Sequence, residues 1–300
     1  MISKNRQRVI VCVAAAALIL AAGLNYVFDP FDSFELRREG RFDHSARVPV
    51  LMYHHFGDEG SPEVTISAAA FESHIKALAE AGYTAVSFEE LRDFVDNGVP
   101  LPERPVIITI DDGYMSVYEI AYPILAKYDM KATVFIIGVF HGKSLYKDNP
   151  YWQIIPHFGD AEALEMSASG VLSIQSHSYN MHQYEPYEEE YRDSVLRRRG
   201  ESRADYIEAF TSDFELAAAQ IENATGIRPS IYAYPFGKST PLSGKLLRDA
   251  GVRVTLLTAR GVSAVVAGAP QSLYGLRRLN VSGDTTAEEL TEMLKNILLY

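Results

Sequence analysis

Apolar runs typical of buried strands alternate with helical patterns along this chain from Val48 onward. The run Val106–Ile110 contains only β-branched residues, which favour a buried strand in a parallel sheet. Between such runs, Ser87 and Glu90 predict a capping box at the start of a helix, and Gly98 follows its expected end. Repeated alternation implies parallel strands joined by right-handed connections. Seven or eight strands over about 250 residues predict a distorted (β/α) barrel, with a doubly wound sheet as the alternative.

The chain is acidic, with a formal net charge of −11 at pH 7. This charge argues against nucleic acid as a partner, because binding phosphates requires a basic surface. An acidic surface suits neutral or cationic polymers, although solubility alone also explains it. Cys12 is the only cysteine of the sequence, so neither an internal disulfide nor a cysteine-rich metal site is expected.

The N-terminus carries a predicted export signal. Lys4, Arg6 and Arg8 precede the uncharged apolar stretch Val9–Leu24, a pattern shared by signal peptides and signal anchors. An anchor is favoured because the apolar stretch approaches the roughly 20 residues that span a bilayer and lacks a clear cleavage site. The basic flank would then stay inside, and the rest of the chain would face outward, or be secreted if the segment is cleaved. The expected divisions are a signal segment over 1–28, a linker over 29–47 and a folded domain over 48–300.

Polar side chains follow several predicted strands at the point where each strand ends. In a barrel these carboxyl ends meet on one face, and active sites form there. The residues at four such ends are His54 with His55, Asp111 with Asp112, His177 with His182, and the stretch Tyr234–Gly237. We therefore expect these side chains to come together although they are distant in sequence.

Two adjacent acids and a pair of histidines are residue types that hold a metal for hydrolysis. Asp111 and Asp112 repel each other, and a bound cation lowers that cost while leaving one acid free to act as a base. One aspartate with His177 and His182 matches a catalytic zinc-type site with an open position. Asp111 would then accept a proton from water. Taken singly, Asp-Asp-Gly also fits an ordinary turn, and a histidine pair also fits surface or core positions.

Three motifs make the chain similar to the polysaccharide deacetylase family, carbohydrate esterase family 4, over about residues 48–282. They are Thr109–Tyr114, His177–His182 and Tyr232–Gly237. The resemblance implies a distorted (β/α) barrel, a divalent metal that is usually Zn²⁺, and removal of N-acetyl groups from a glycan polymer.

The resemblance also assigns roles to individual residues. Asp111 corresponds to the catalytic base, and the metal ligands correspond to Asp112, His177 and His182. The backbone N–H of Tyr114 would help the metal to stabilise the oxyanion.

Three departures from the commoner family pattern narrow the expected substrate. Four residues rather than three separate His177 from His182. Ala233 stands where many members have an arginine that orients the base, and no histidine follows a leucine near the C-terminus. These departures resemble the subgroup that acts on poly-β-1,6-N-acetylglucosamine, in which an early histidine is the general acid. That residue would be His54 here, with His55 as the alternative.

Aromatic residues near the motifs are possible contacts for sugar rings, although packing in the core explains each of them equally well. They are Tyr151, Trp152, Tyr179 and Tyr234, with Pro235 and Phe236 beside Tyr234 as further predicted substrate contacts. Deacetylation of poly-β-1,6-N-acetylglucosamine competes with three alternatives. These are deacetylation of peptidoglycan or chitin-type glycans, non-catalytic glycan binding at the cell surface, and metal-dependent hydrolysis of another ester or amide.

Overall fold

The computed structural model describes residues 45–184, 188 and 190–299. The predicted signal segment over 1–28 and residues 29–44 of the predicted linker lie outside the described residues. Among the helices described, none combines the length and the apolar composition that crossing a bilayer requires.

Parallel strands close into a ring at the centre of the fold. The strands of the described residues, numbered in chain order, are β1 (Ser45–Arg47), β2 (Val50–Tyr53), β3 (His55–Phe56), β4 (Thr65–Ile66), β5 (Thr84–Ala85), β6 (Pro105–Asp112), β7 (Ala132–Ile136), β8 (Leu172–Ser176), β9 (Ile231–Ala233), β10 (Val254–Arg260), β11 (Ala264–Val266) and β12 (Leu276–Asn280). The hydrogen-bonded order β2–β12–β10–β9–β8–β7–β6 returns to β2 because β2 also pairs with β6. β5 adds an eighth strand beside the start of β6. The predicted (β/α) barrel of seven or eight parallel strands is confirmed.

The ring is irregular along two of its seams. β8 pairs with β9 at Ser176 and Tyr232, a much shorter contact than the five-residue pairing of β7 with β8. The register of β10 against β12 shifts between Leu256 and Arg260. The predicted distortion therefore lies at the pairing of β8 with β9 and at the pairing of β10 with β12. The third motif begins in β9.

Helices connect the strands, and their ends follow the signals in the sequence. The α-helices of the described residues are α1 (Ala68–Glu80), α2 (Phe88–Asn97), α3 (Tyr122–Lys127), α4 (Asp160–Ala168), α5 (Arg203–Thr225), α6 (Pro241–Asp249) and α7 (Ala287–Leu299). The predicted capping box forms, because the Ser87 hydroxyl accepts the Glu90 N–H at 3.2 Å and Glu90 Oε2 accepts the Ser87 N–H at 2.6 Å. Gly98 ends α2 with a φ of 72°, a conformation that favours glycine.

Two consecutive helical segments follow the first motif. A π-helix over Val117–Ala121 precedes α3, and Pro123 lies in the first turn of α3. Proline is tolerated there because the first N–H groups of a helix have no partner within the helix. π-Helical turns often lie beside functional sites, and this one follows the first motif directly.

Strand β6 is longer than its apolar run predicts, and it includes both acids. Ile108 belongs to one hydrophobic cluster and Ile107 to another, so the strand is buried on both faces as a parallel barrel strand must be. Asp111 pairs with Phe135 and Asp112 pairs with Ile136. Backbone pairing with β7 therefore holds the two carboxylates at the carboxyl end of the barrel.

The last residues of the predicted linker form a strand. Ser45–Arg47 pairs antiparallel with Ala264–Val266 outside the barrel. Strands β1, β3, β4 and β11 have only two or three residues each, and strands this short carry no detectable hydrophobic period.

Candidate active site

The acids and histidines of the first two motifs meet at one end of the barrel. Asp111 and Asp112 are the last residues of β6, and His177 directly follows β8. His182 reaches the same place from the loop beyond His177. All four side chains are buried.

Three of these side chains form a compact set of ligand atoms. Asp112 Oδ1 lies 3.8 Å from His177 Nε2 and 3.8 Å from His182 Nε2. One ligand atom from each residue lies within 4.8 Å of the others. These separations exceed the 2.7–3.2 Å of a hydrogen bond, so the three atoms surround a small space rather than bonding to one another.

The chemistry of the three atoms fits a divalent cation. Among the described residues, Asp112 Oδ1 is buried and has no hydrogen-bond partner, which is costly for a carboxylate oxygen. Burial raises the pKa of Asp112, but the nearby His182, His54 and His177 more than offset it and hold the pKa below its ordinary value. Burial also lowers the pKa of His182 to about 4, so its imidazole is neutral at pH 7. An ionised carboxylate and neutral imidazoles are the donors that Zn²⁺ takes in catalytic sites.

A backbone carbonyl orients the first histidine. His177 Nδ1 lies 2.7 Å from the carbonyl oxygen of Ala233, the last residue of β9. Since a carbonyl oxygen only accepts, Nδ1 carries the hydrogen and Nε2 presents its lone pair to the Asp112 side. This arrangement is the usual support for a metal-binding histidine.

The second acid is held by a buried arginine that the sequence analysis did not assign. Arg278 donates from its two terminal nitrogens to Asp111 Oδ1 and Oδ2, each at 2.7 Å. Its Nε donates to the carbonyl oxygen of Leu257 at 2.9 Å. Burial raises the pKa of Asp111, but Arg278, with smaller contributions from His177 and His54, holds the pKa well below its ordinary value. Asp111 is therefore ionised and fixed in orientation.

Arg278 occupies the structural role that the sequence appeared to lack at Ala233. Arg278 reaches Asp111 from β12, a later strand than the one that ends at Ala233, and its side chain is fully buried. A signal for it exists in the sequence, because Arg277 and Arg278 are adjacent between Leu276 and Leu279. Successive strand residues face opposite sides, so one of the two must point into the barrel, where a buried cation requires an acidic partner.

The two early histidines have different surroundings. His55 Nδ1 lies 2.9 Å from Ser116 Oγ, and its ring makes an edge contact with Tyr114 at 5.1 Å. His54 is half-buried and lies close enough to Asp111 and Asp112 to lower the pKa of both carboxyls. The structure thus brings His54 to the acids and gives His55 a partner outside them.

Tyr114 borders the same space through its side chain. Burial, followed by the charge of Asp112, raises the pKa of the Tyr114 phenol. Its ring lies 4.8 Å from that of His157. The expected contribution of the Tyr114 backbone N–H to an oxyanion site stays a prediction.

The predicted sugar contacts fall into two groups. Tyr234 and Pro235 are buried, and the Tyr234 ring packs against Tyr232 at 5.3 Å in the core. Stacking of Tyr234 on a sugar is therefore contradicted, because the ring has no exposed face. Phe236 is 41% exposed and its ring lies 4.1 Å from that of His182.

Phe236 reaches this position through an unusual backbone conformation. Its φ of 53° lies in the left-handed region, and its ring is exposed beside His182 while Tyr234 and Pro235 are buried. Tyr184, which the sequence analysis did not select, is 38% exposed and lies 5.5 Å from the His182 ring. Trp152 is 36% exposed and packs against Tyr146 in the loop after β7.

The sequence model of the polysaccharide deacetylase family matches residues 98–255, just over half of the 300-residue chain and all three motifs. The chain belongs to the polysaccharide deacetylase family. The matched region contains the buried Asp112, His177 and His182 and the oriented Asp111.

Curated relatives of this deacetylase include proteins named for one substrate. Poly-β-1,6-N-acetyl-D-glucosamine N-deacetylase of Escherichia coli K12 is 23% identical over 289 residues, covering 88% of this chain and 41% of the relative. The Staphylococcus aureus MRSA252 protein of the same name is 31% identical over 118 residues, covering 39% of this chain and 38% of the relative. YxkH of Bacillus subtilis, provisionally named a polysaccharide deacetylase, is 28% identical over 237 residues, covering 79% and 72%. The chain spans less than half the length of the first two relatives.

Solved structures share the fold of this deacetylase. A de-N-acetylase from Aggregatibacter actinomycetemcomitans aligns with a TM-score of 0.68 at 24% identity, covering 82% of this chain and 99% of that one. IcaB from Ammonifex degensii aligns with a TM-score of 0.67 at 23% identity, covering 83% and 97%. These alignments agree with the irregular barrel described above.

Proposed function

We propose that this deacetylase is a metal-dependent hydrolase that removes N-acetyl groups from poly-β-1,6-N-acetylglucosamine outside the cell. The observation that carries the proposal is the buried set of Asp112, His177 and His182 beside an ionised Asp111 paired with Arg278. The choice of glycan is supported by the names of the curated relatives, and by the His54 position that resembles their subgroup.

Asp112, His177 and His182 would hold the divalent ion. Two imidazole nitrogens and one carboxylate oxygen, with room for further ligands, favour Zn²⁺. When bound, the ion would polarise the acetyl carbonyl and lower the pKa of a water molecule. The deacetylase would thus depend on its metal for the hydrolysis of an amide.

The remaining roles fall to groups that lie beside these three ligands. Asp111 would accept the proton of the attacking water, with Arg278 keeping the carboxylate ionised and aimed. His54 would protonate the departing amine, and the Tyr114 N–H would donate to the oxyanion. Phe236 offers an exposed ring next to His182 on which a sugar can stack.

The location of the enzyme follows from the N-terminal prediction. A signal anchor over 1–28 would hold the domain at the outer face of the membrane, where an exported glycan is accessible. Cleavage of that segment would release the same domain as a secreted enzyme. The partner in either case is an N-acetylated glycan polymer, and the acidic surface suits the cationic product of deacetylation.

Acetate release from purified glycans tests the proposal. We expect release from poly-β-1,6-N-acetylglucosamine, loss after chelation and recovery when Zn²⁺ is restored. Asp112→Ala should lose metal and activity together, because it removes the only carboxylate of the ligand set. Acetate release from peptidoglycan or chitin oligomers alone would instead identify the enzyme as a deacetylase of one of those glycans. A metal-replete protein that releases no acetate from any of these polymers would contradict deacetylation and favour glycan binding.

His54→Ala and His55→Ala distinguish the two possible general acids. His54→Ala should lower kcat by about 10²–10⁴-fold, because the amine then leaves without a proton donor. His55→Ala should have a much smaller effect, since the His55 ring contacts Ser116 and Tyr114. Steady-state kinetics with metal content measured on both variants checks this. Unchanged turnover in His54→Ala, with a large loss in His55→Ala, would exchange the two roles.

A further inference from the structure

A single carboxylate from α5 holds the loop between the two predicted metal-binding histidines. Asp213 Oδ1 accepts the backbone N–H of Tyr179 at 2.9 Å, and Oδ2 accepts the backbone N–H of Asn180 at 2.6 Å. Each carboxylate oxygen thus binds one of two consecutive peptide groups at the middle of the loop. Asp213 belongs to none of the three family motifs and lies 31 residues beyond His182.

The side chain is buried and has no evident role other than this contact. Burial raises the pKa of Asp213 to about 6, although the N–H groups of Asn180 and Tyr179 and the charge of Arg192 act in the opposite direction. Hydrogen bonds to a carboxylate are stronger than those between neutral groups. Burying the Asp213 carboxyl is energetically unfavourable, and this buried carboxyl lies where it binds the loop.

The two histidines differ in how they are supported. His177 directly follows β8, and its Nδ1 contacts the carbonyl oxygen of Ala233 at 2.7 Å. Among the described residues, His182 Nδ1 is buried without a hydrogen-bond partner. Within the described part of the chain, the His182 ring therefore lacks the Nδ1 hydrogen bond that His177 has, and its position depends on the path of the loop and on ring contacts such as that with Phe236.

The loop itself is conformationally demanding. Ser178 has a φ of 78°, in the left-handed region that non-glycine residues rarely adopt. The Met181 N–H donates to Ser178 Oγ at 3.0 Å, which closes the loop on itself. Asp213 is the contact that ties this closed loop to a helix of the barrel wall.

We infer that Asp213 is a positioning residue that sets metal affinity by fixing His182 relative to His177. This inference rests on the proposed metal-dependent function. Asparagine in its place can accept one backbone N–H, but its amide nitrogen would face the other N–H. The loop would then lose one of its two hydrogen bonds to this side chain, while the bonds from the Gly138 and Val139 N–H groups to the carbonyl oxygens of Ser178 and Tyr179 remain.

Metal affinity of Asp213→Asn, measured by chelator competition on the full chain, tests the inference. We expect the Kd for Zn²⁺ to rise about 10–100-fold, the usual effect of losing a partner that supports a ligand. At saturating Zn²⁺, kcat should recover to near the wild-type value, since Asp213 does not belong to the ligand set or contact Asp111. The matched control is Glu208→Gln, which removes a charge from an exposed position of α5 and should leave the Kd unchanged.

Separate results identify failure of the inference and failure of the proposed function. If the wild-type protein binds no Zn²⁺, the metal centre itself is wrong. If the wild type binds Zn²⁺ and folded Asp213→Asn binds it equally well, the positioning role is overturned. If metal-free Asp213→Asn melts at a lower temperature but its Kd for Zn²⁺ is unchanged, Asp213 only stabilises the fold, and the positioning role is again overturned. Should Asp213→Asn not fold, Asp213→Ser, with one small acceptor, is measured in the same way and is judged by the same Kd.

Discussion

Replacing Asp111 with asparagine is expected to lower kcat for acetate release by about 10²–10⁴-fold, the usual contribution of a general base. Asparagine keeps the size of the side chain but cannot accept a proton from water. Asp112, His177 and His182 retain their ligand atoms in this variant, because none of those atoms belongs to Asp111. Metal content should therefore stay at the wild-type level while turnover falls.

Asp58→Asn is the matched control for this change. It replaces an exposed aspartate in the loop after β3 and should alter neither kcat nor metal content. Kinetics and metal analysis on the same protein preparations separate loss of the base from loss of the ion. Full activity in metal-bound Asp111→Asn would remove Asp111 from the base role.

Replacing Arg278 with methionine is expected to lower the free energy of unfolding by about 3–5 kcal/mol, the usual cost of deleting one partner of a buried ion pair. The guanidinium contacts both oxygens of Asp111 at 2.7 Å, and methionine fills similar space without a charge. The Asp111 carboxylate would then be buried opposite an apolar group. Urea unfolding of the wild-type and variant proteins at pH 7 measures the difference.

The same variant should change the pH dependence of activity. Arg278 is the largest of the charges that hold the pKa of Asp111 down against burial, so this pKa rises when the arginine is removed. Since the base works only when ionised, activity should fail at a higher pH on the acid side of the kcat/KM profile than in the wild type. Arg260→Met, at the exposed end of β10, is the control and should shift neither stability nor profile. An unshifted profile in folded Arg278→Met would show that Arg278 does not tune the base.

The clustering of Asp112, His177 and His182 was predictable because it depends on strand ends. Asp112 ends β6 and His177 directly follows β8, and a parallel barrel brings the carboxyl ends of its strands together whatever their distance in sequence. The closed ring was predictable for the same reason, since β-then-α alternation restricts the topology. His182 is reached by the loop after His177, so the spacing of the pair identified it.

Arg278 was not predicted because its role depends on which face of β12 points inward. A strand shifted by one residue would bury Arg277 instead, and no alternation in this short segment fixes the choice. The pairing of β12 with β2 determines the face, and that pairing joins the first and last strands of the barrel. The family resemblance implies an arginine at position 233, whereas the barrel supplies one from its last strand.

Tyr234 and Phe236 were both predicted as substrate contacts, but their rings have different surroundings. Both aromatic residues follow the same short strand, and composition gives no reason to bury one and expose the other. Phe236 has a positive φ, the ring of Tyr234 packs in the core, and the ring of Phe236 borders His182. A left-handed conformation at a non-glycine residue leaves little trace in sequence.

We propose that Asp112, His177 and His182 together bind one divalent ion. Anomalous diffraction from crystals grown with Zn²⁺, recorded on either side of the zinc absorption edge, locates such an ion. We expect one strong peak about 2.0–2.2 Å from Asp112 Oδ1 and from Nε2 of each histidine. If crystals saturated with Zn²⁺ show no peak between these three atoms, the three residues do not form a metal site.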